Sequence, residues 1–260
     1  VFGAGGRLSE VLPNFEPRSV QMRLAEAVAR TLRDSGLLFA EADTGTGKSL
    51  AYLVPAVEFA RTREVRVVVS TYTKNLQEQL LAKDVPVALA VADADGVEVA
   101  LAKGRGNYLC LRRLLWAAER ADERKRGHFA RLQAWAATTD TGDREHAPYV
   151  PADVWVEVAS DGLACAGPRC PHRAECFYNR MRRRLESARI IVTNHALLFT
   201  DAALRTADAA ILPDYAAAIL DEGHTLPDAA VSAFTTHLSK RVLFRHLERL
   251  TSLVPAAAPV

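Results

Sequence analysis

Thr44-Gly45-Thr46-Gly47-Lys48-Ser49 brings two glycines, a lysine and a hydroxyl side chain together directly after Ala42-Asp43. At Gly45 and Gly47 a backbone without Cβ can turn successive N–H groups toward an anion that a side chain would block. The helix expected to open at Ser49 adds the partial positive charge of its N-terminus. Lys48 can then reach the β- and γ-phosphates of a nucleotide, and the Ser49 hydroxyl can hold a magnesium ion. Ala42 stands where this loop pattern usually opens with Gly, a tolerant position provided its φ stays negative. An apolar run, a glycine turn and a helix start, in that order, separate a phosphate loop from a chance glycine-rich turn.

Acids recur far along the chain, where the apolar run Ala216 to Leu220 leads into Asp221-Glu222-Gly223-His224. Carboxylates at the end of a buried strand suit the other half of nucleotide chemistry. Asp221 can hold magnesium through water, and Glu222 can orient and activate the attacking water. His224 lies on the same rim and could couple nucleotide state to the rest of the machine. Earlier, Arg18 and Gln21 stand three apart at a helix start. A guanidinium fork and an amide there can pair with the edge of adenine.

Cys110, Cys165, Cys170 and Cys176 are the four cysteines, spaced C-x54-C-x4-C-x5-C. The last three lie among Gly162, Gly167, Pro168 and Pro171, a loop that can wrap a compact object. Four thiolates from loops suit an iron–sulfur cluster or zinc. Gaps longer than the usual two residues favour the cluster, with zinc as the alternative. His172 reads as a bystander. Arg105 and Tyr108 precede Cys110; Arg182 and Arg183 follow Cys176 on an expected helix, with Phe177 and Tyr178 nearby. Cations for phosphates and aromatic faces for bases are the parts of a single-strand binding surface.

The elements that must position these groups follow from periodicity. Leu37 to Ala40, Arg66 to Ser70, Val97 to Leu101, Arg189 to Thr193 and Ala216 to Leu220 are short apolar or β-branched runs that read as buried parallel strands. Helices are expected from Met22 to about Gly36, from Ser49 to Ala60, from Thr73 to about Lys83 and from Leu111 to Arg126. In such a sheet the loops after the strands form the ligand edge. Thr71, Thr73 and Lys74 therefore share a rim with the phosphate loop, suited to a sugar–phosphate backbone, although a helix cap serves equally well for Thr73. Residues 1–13 read as a loose leader, and 138–148 as a polar, mobile loop.

An apolar share of 49% and a charged share of 25% over 260 residues describe an ordinary soluble protein. No run is long enough to span a membrane, and no signal pattern precedes the helices. A reducing cytoplasm is the expected compartment, where cysteines ligate metals rather than pair. The net charge of +2 conceals a basic centre: Lys103 to Leu185 holds sixteen Lys and Arg against ten Asp and Glu. A polyanion is the expected partner of that third.

Taken together, Ala-Asp-Thr-Gly-Thr-Gly-Lys-Ser, Lys103-Gly-Arg-Gly-Asn-Tyr-Leu-Cys110 with the later cysteines, Val-Thr-Asn194-His195-Ala-Leu-Leu and Asp-Glu-Gly-His resemble the iron–sulfur superfamily 2 DNA helicases of the XPD/DinG group. The resemblance covers Phe15 to about Pro227. It implies an α/β fold: a RecA-like P-loop lobe with a parallel sheet, carrying an inserted, mostly helical four-cysteine domain. Residues 1–102 and 186–226 would form the lobe, 103–185 the insertion, and 227–260 the start of an arch domain. It further implies ATP and Mg2+ as ligands and a 4Fe–4S cluster on the four cysteines. Arg18 and Gln21 would fall in the motif that reads adenine, Thr71 and Thr73 in a motif on single-stranded DNA. Gly223 replaces the family's usual Ala. The family moves 5′ to 3′ along single-stranded or forked DNA with a second motor lobe that these residues do not contain. A monomeric chain of this extent should therefore bind ATP weakly, hydrolyse it poorly and leave duplexes intact. The alternative is an ATP-binding, single-strand-binding module with a structural metal and no translocation.

Overall fold

The structure is a computed structural model that describes residues 1–43 and 45–235. Thr44 and residues 236–260, most of the expected arch segment, lie outside the described residues. In chain order the helices are α1 (Arg7–Val11), α2 (Ser19–Asp34), α3 (Lys48–Arg63), α4 (Lys74–Gln79) and α5 (Val85–Val91), with a π-helical turn at Leu80–Asp84 between the last two. The insertion contributes α6 (Leu111–Glu119), α7 (Glu123–Ala136), α8 (Ala152–Val158) and α9 (Phe177–Ser187). Helices α10 (His195–Arg205) and α11 (Leu226–Phe234) follow.

Four strands, β1 (Val67–Thr71), β2 (Val99–Leu101), β3 (Ile190–Asn194) and β4 (Ala217–Leu220), form one parallel sheet in the order β2-β3-β1-β4. The β-branched runs of β1 and β3 bury both faces, as central parallel strands require, whereas β4 alternates half-buried and exposed residues. Alternation along β1 and β3 divides the core. Val67, Val69, Ile190 and Val192 pack with α2, α3 and α5 residues on one face. Val68 and Ile191 pack on the other face, in the cluster that contains Trp155, Phe129 and Leu185 of the insertion. The insertion thus completes the hydrophobic core of the sheet rather than standing apart from it.

Four expectations are corrected. Leu37 to Ala40 is not a strand: the segment has no regular structure, and Leu37 and Phe39 are 82% and 88% exposed. A strand needs a paired edge as well as an apolar run, and among the described residues β4 is paired only to β1. The leader is not loose, since α1 buries Leu8 and Phe2 beside α5. The helix expected from Leu111 to Arg126 breaks at residues 120–122, where the Asp122 side chain caps α7 by accepting from Lys125 N at 2.9 Å. Residues 138–148 are pinned by a Tyr108–Asp143 bridge and by the buried Asp143 carboxylate.

Candidate nucleotide and nucleic-acid site

Gly45 and Gly47 adopt φ of 78° and 76°, the left-handed region that a residue with Cβ enters at a cost. Gly47 caps the N-terminus of the sixteen-residue α3, which starts at Lys48, one residue before the expected start. The loop's carbonyls are occupied by side chains. Lys48 Nζ donates to Ala42 O at 3.0 Å, Thr46 Oγ1 to Asp43 O at 2.8 Å, and Gln21 Nε2 to Gly47 O at 3.0 Å. The Arg18 guanidinium donates to Gly45 O. With those carbonyls engaged, the amides are the groups left to meet an anion. Arg18 and the buried Gln21 therefore sit against the phosphate loop itself, at the start of α2.

Asp221 follows β4, and its backbone N donates to Ser70 O of β1 at 2.8 Å. The Tyr52 hydroxyl, from the second turn of α3, donates to Asp221 Oδ2 at 3.0 Å. One hydrogen bond thus joins the helix of the phosphate loop to the acid pair. Burial, followed by the Asp221 charge, raises the Tyr52 phenol far above its ordinary range, so it remains a donor. Asp84, at the end of the π-helical turn, joins the group. Its carboxyl is raised by burial, pulled down by the Ser49 hydroxyl and pushed up again by Asp221. Neither Tyr52 nor Asp84 carried a sequence signal. An alternating or motif pattern says nothing about a side chain that matters through tertiary approach alone.

The loop after Asp221 is tightly determined. Glu222 has φ of 56°, unusual for a residue with a side chain, and its N–H donates to Asp221 Oδ1 at 3.0 Å. His195 Nε2 lies 2.8 Å from Asp221 O, and His195 Nδ1 lies 2.8 Å from the buried Ser70 hydroxyl. Burial pushes the His195 imidazole below its ordinary range, against the opposing pull of the Asp221 carbonyl and the two nearby acids. His224 is exposed, with Nδ1 3.5 Å from Glu222 Oε2.

The expected strand-binding residues separate into two sets. Thr73 is exposed and its hydroxyl caps α4 by accepting from Leu76 N at 3.2 Å; Lys74 beside it donates to Asn107 Oδ1 at 2.5 Å. Arg183 is exposed on α9. Thr71, by contrast, is fully buried, and its hydroxyl has no partner among the described residues. Tyr108 is also buried, edge-on to Tyr178 at 6.0 Å between ring centres, so it packs the core instead of offering a face to a base. Arg105 stacks over the Tyr178 ring at 4.1 Å. Arg182 donates to the Ala210 carbonyl at 3.1 Å and to that of Ile211, which ties α9 to the loop before β4. Polar and aromatic residue types suggested a surface for these positions; packing buried two of them.

Lys103 opens the insertion, is buried, and meets three carboxylates: Glu78 at 3.3 Å, Asp143 at 2.6 Å, and Glu145. Burial alone would lower its pKa, but Asp143 and Glu145 together raise it. Glu78 lies on α4, so this ion cluster fixes the helix that carries Lys74 to the insertion.

All four cysteines are free thiols. Cys110 and Cys176 cap the N-termini of α6 and α9, and the Cys110 thiol, raised mainly by burial, also senses Cys176. Cys165 is exposed. Burial would raise its thiol, but the Gly167 N–H at 3.4 Å and the Arg105 guanidinium hold it below its ordinary range. Four unpaired thiols, one of them beside a guanidinium, fit the donor chemistry of a cluster or zinc. Among the described residues no group of three or more His, Cys, Asp or Glu is placed to hold a metal ion. Cys165 is instead placed by its bonds to Gly167 and Arg105. No described helix is long and apolar enough to cross a membrane.

Residues 19–86, from α2 to the start of α5, match the DEAD/DEAH box helicase family. The chain is 34% identical over 255 residues to the ATP-dependent DNA helicase YoaA of Haemophilus influenzae, covering 94% of this chain and 38% of that protein. It is 39% identical over 258 residues to the ATP-dependent helicase DinG of Mycobacterium tuberculosis, covering 91% and 38%. Identity to YoaA of Escherichia coli K12 is 35% over 248 residues, covering 93% and 38%. The chain spans 38% of the length of each of these three relatives. With a glycine turn at the start of α3 and an acid pair after β4, the chain is thus similar across nearly its whole length to DinG- and YoaA-type ATP-dependent helicases.

Proposed function

We propose that this chain is the first motor lobe and cysteine-bearing insertion of an ATP-dependent DNA helicase. The Tyr52–Asp221 hydrogen bond carries the reading, because it brings the phosphate-loop helix and the acid pair to one place. Lys48 and the loop amides would cradle the β- and γ-phosphates of ATP. Ser49 and Asp221 would hold Mg2+, which supplies charge neutralisation between the phosphates. Glu222 would orient the attacking water and take up its proton. Thr73, Lys74 and Arg183, exposed or half-buried around the same end of the sheet and on α9, are the residues we assign to single-stranded DNA. Cys110, Cys165, Cys170 and Cys176 would hold a 4Fe–4S cluster, a rigid crosslink between the starts of α6 and α9, with zinc as the competing occupant. By resemblance the intact protein moves 5′ to 3′ on forked DNA as a monomer in the cytoplasm, and a second motor lobe supplies the charge that completes the transition state.

The test is steady-state ATP hydrolysis by the intact protein with and without single-stranded DNA, beside a Lys48→Ala variant. Stimulation by the strand in the wild type, and loss of turnover with strand binding kept in the variant, support the reading. An intact protein that binds strands but hydrolyses no faster with them is the non-translocating module instead.

A further inference from the structure

Ser70, His195 and Asp221 come from three different places in the chain and meet at the carboxyl ends of β1, β3 and β4. His195 follows Asn194, whose side chain caps α10 by accepting from Leu197 N at 2.9 Å, so the imidazole is aimed across the end of β1 toward β4. A carbonyl oxygen only accepts, so the 2.8 Å contact with Asp221 O places the imidazole proton on Nε2. Nδ1 of the neutral ring is then the acceptor, and the Ser70 hydroxyl donates to it at 2.8 Å. Ser70 and His195 are both fully buried.

The carbonyl that His195 holds belongs to the peptide unit joining Asp221 to Glu222. The N–H of that same unit is held by Asp221 Oδ1 at 3.0 Å. Both ends of one peptide plane are therefore fixed, and that plane sets the φ of Glu222, which at 56° is in the left-handed region. Rotation of the plane would move Glu222 toward an ordinary backbone conformation and carry its carboxylate away. Ser70 sits three residues before Thr73 and four before Lys74, at the end of the same strand. Its hydroxyl, being buried, has no solvent to turn to if β1 shifts.

We propose that Ser70 and His195 form a positioning relay that holds the Asp221–Glu222 peptide, so that a strand engaged at Thr73 and Lys74 sets the orientation of Glu222. The relay rests on the ATP-hydrolysing reading of the site. His195 is a positioning residue, acting on Glu222 through one backbone carbonyl, and Ser70 is its link to the strand-binding end of β1.

The test uses the intact protein and oligothymidylate as the strand. His195→Ala and Ser70→Ala should lower kcat measured with the strand about tenfold or more, while KM for ATP and Kd for the strand stay within about twofold. His195→Gln keeps a donor for the carbonyl and should recover part of kcat. Unchanged kcat in His195→Ala overturns the relay. So does a parallel loss of kcat, ATP binding and strand binding with a lowered Tm, or a Gln variant no better than Ala, since each marks a packing role only. A wild type that oligothymidylate fails to stimulate overturns the functional reading first, and the relay with it.

Discussion

The Tyr52 hydroxyl donates to Asp221 Oδ2 at 3.0 Å, linking two residues 169 positions apart in the chain. Tyr52 lies one turn after Lys48 and Ser49 on α3, so the bond fixes the distance between the phosphate loop and the acid that would share its metal. Tyr52→Phe removes one donor from a carboxylate and leaves the ring packing intact. The expected result is a stability loss of about 1–2 kcal/mol by urea unfolding, and a several-fold lower kcat for ATP with KM little changed. Equal kcat in the two proteins would show that Asp221 does not need this donor.

Gly45 and Gly47 share a left-handed backbone but differ in what surrounds them. A Cβ built at Gly45 meets nothing within 4 Å, whereas one at Gly47 falls 2.2 Å from Gln21 Nε2. Gly45→Ala should cost only the conformational strain, on the order of 1–2 kcal/mol. Gly47→Ala should cost more and should abolish the rise in Tm that ATP and magnesium produce. Combining Gly47→Ala with Gln21→Ala should recover part of the lost Tm, a coupling that thermal melting of the four proteins measures directly.

Lys103 lies among Glu78, Asp143 and Glu145 with no exposure to spare. Lys103→Met leaves the buried Asp143 without its cation, so a loss on the order of 3–5 kcal/mol is expected. Asp143→Asn in the same chain should restore much of it. Because Glu78 belongs to α4, the single variant should also loosen hydrogen-exchange protection along Lys74–Gln79. Unaltered protection there would mean that the insertion and α4 are held together by apolar packing alone.

Arg182 and Arg183 are neighbours with different work. Arg182 is spent on the carbonyls of residues 210 and 211, and Arg183 is exposed. Arg183→Ala should weaken single-strand binding and lower the slope of log Kd against log salt by roughly one. Arg182→Ala should lower Tm and leave that slope unchanged. Fluorescence anisotropy across a salt series and a melting curve separate the two.

The cysteine assignment has its own readout. Protein purified under low oxygen should be brown, with a broad absorbance band near roughly 400 nm, and Cys110→Ser or Cys176→Ser should bleach it. A colourless protein with stoichiometric zinc would assign the same thiols to the other metal.

Continuous β-branched runs made β1 and β3 legible to within a residue, because a strand buried on both faces needs little else. Thr73 was legible as a helix cap from its place before Lys74. Leu37 to Ala40 looked the same by composition, yet strand formation depends on a partner edge that no local pattern encodes. Thr71 and Tyr108 were misplaced on the surface because residue type is a weak guide to burial when a neighbouring segment covers it. The phosphate loop and the acid pair were visible as motifs, but Tyr52, Asp84 and the His195 contact with Asp221 exist only once the chain has folded back on itself.

Among the described residues the outer side of β4 bonds to no neighbour, and Leu37 and Phe39 stand almost bare. A row of unclaimed amides and carbonyls is a template for any extended peptide that drifts past, and naked aromatic and aliphatic groups make such meetings adhesive. Expressed by themselves, these residues should collect into particles as concentration rises, by light scattering, while circular dichroism still reports an intact α/β chain.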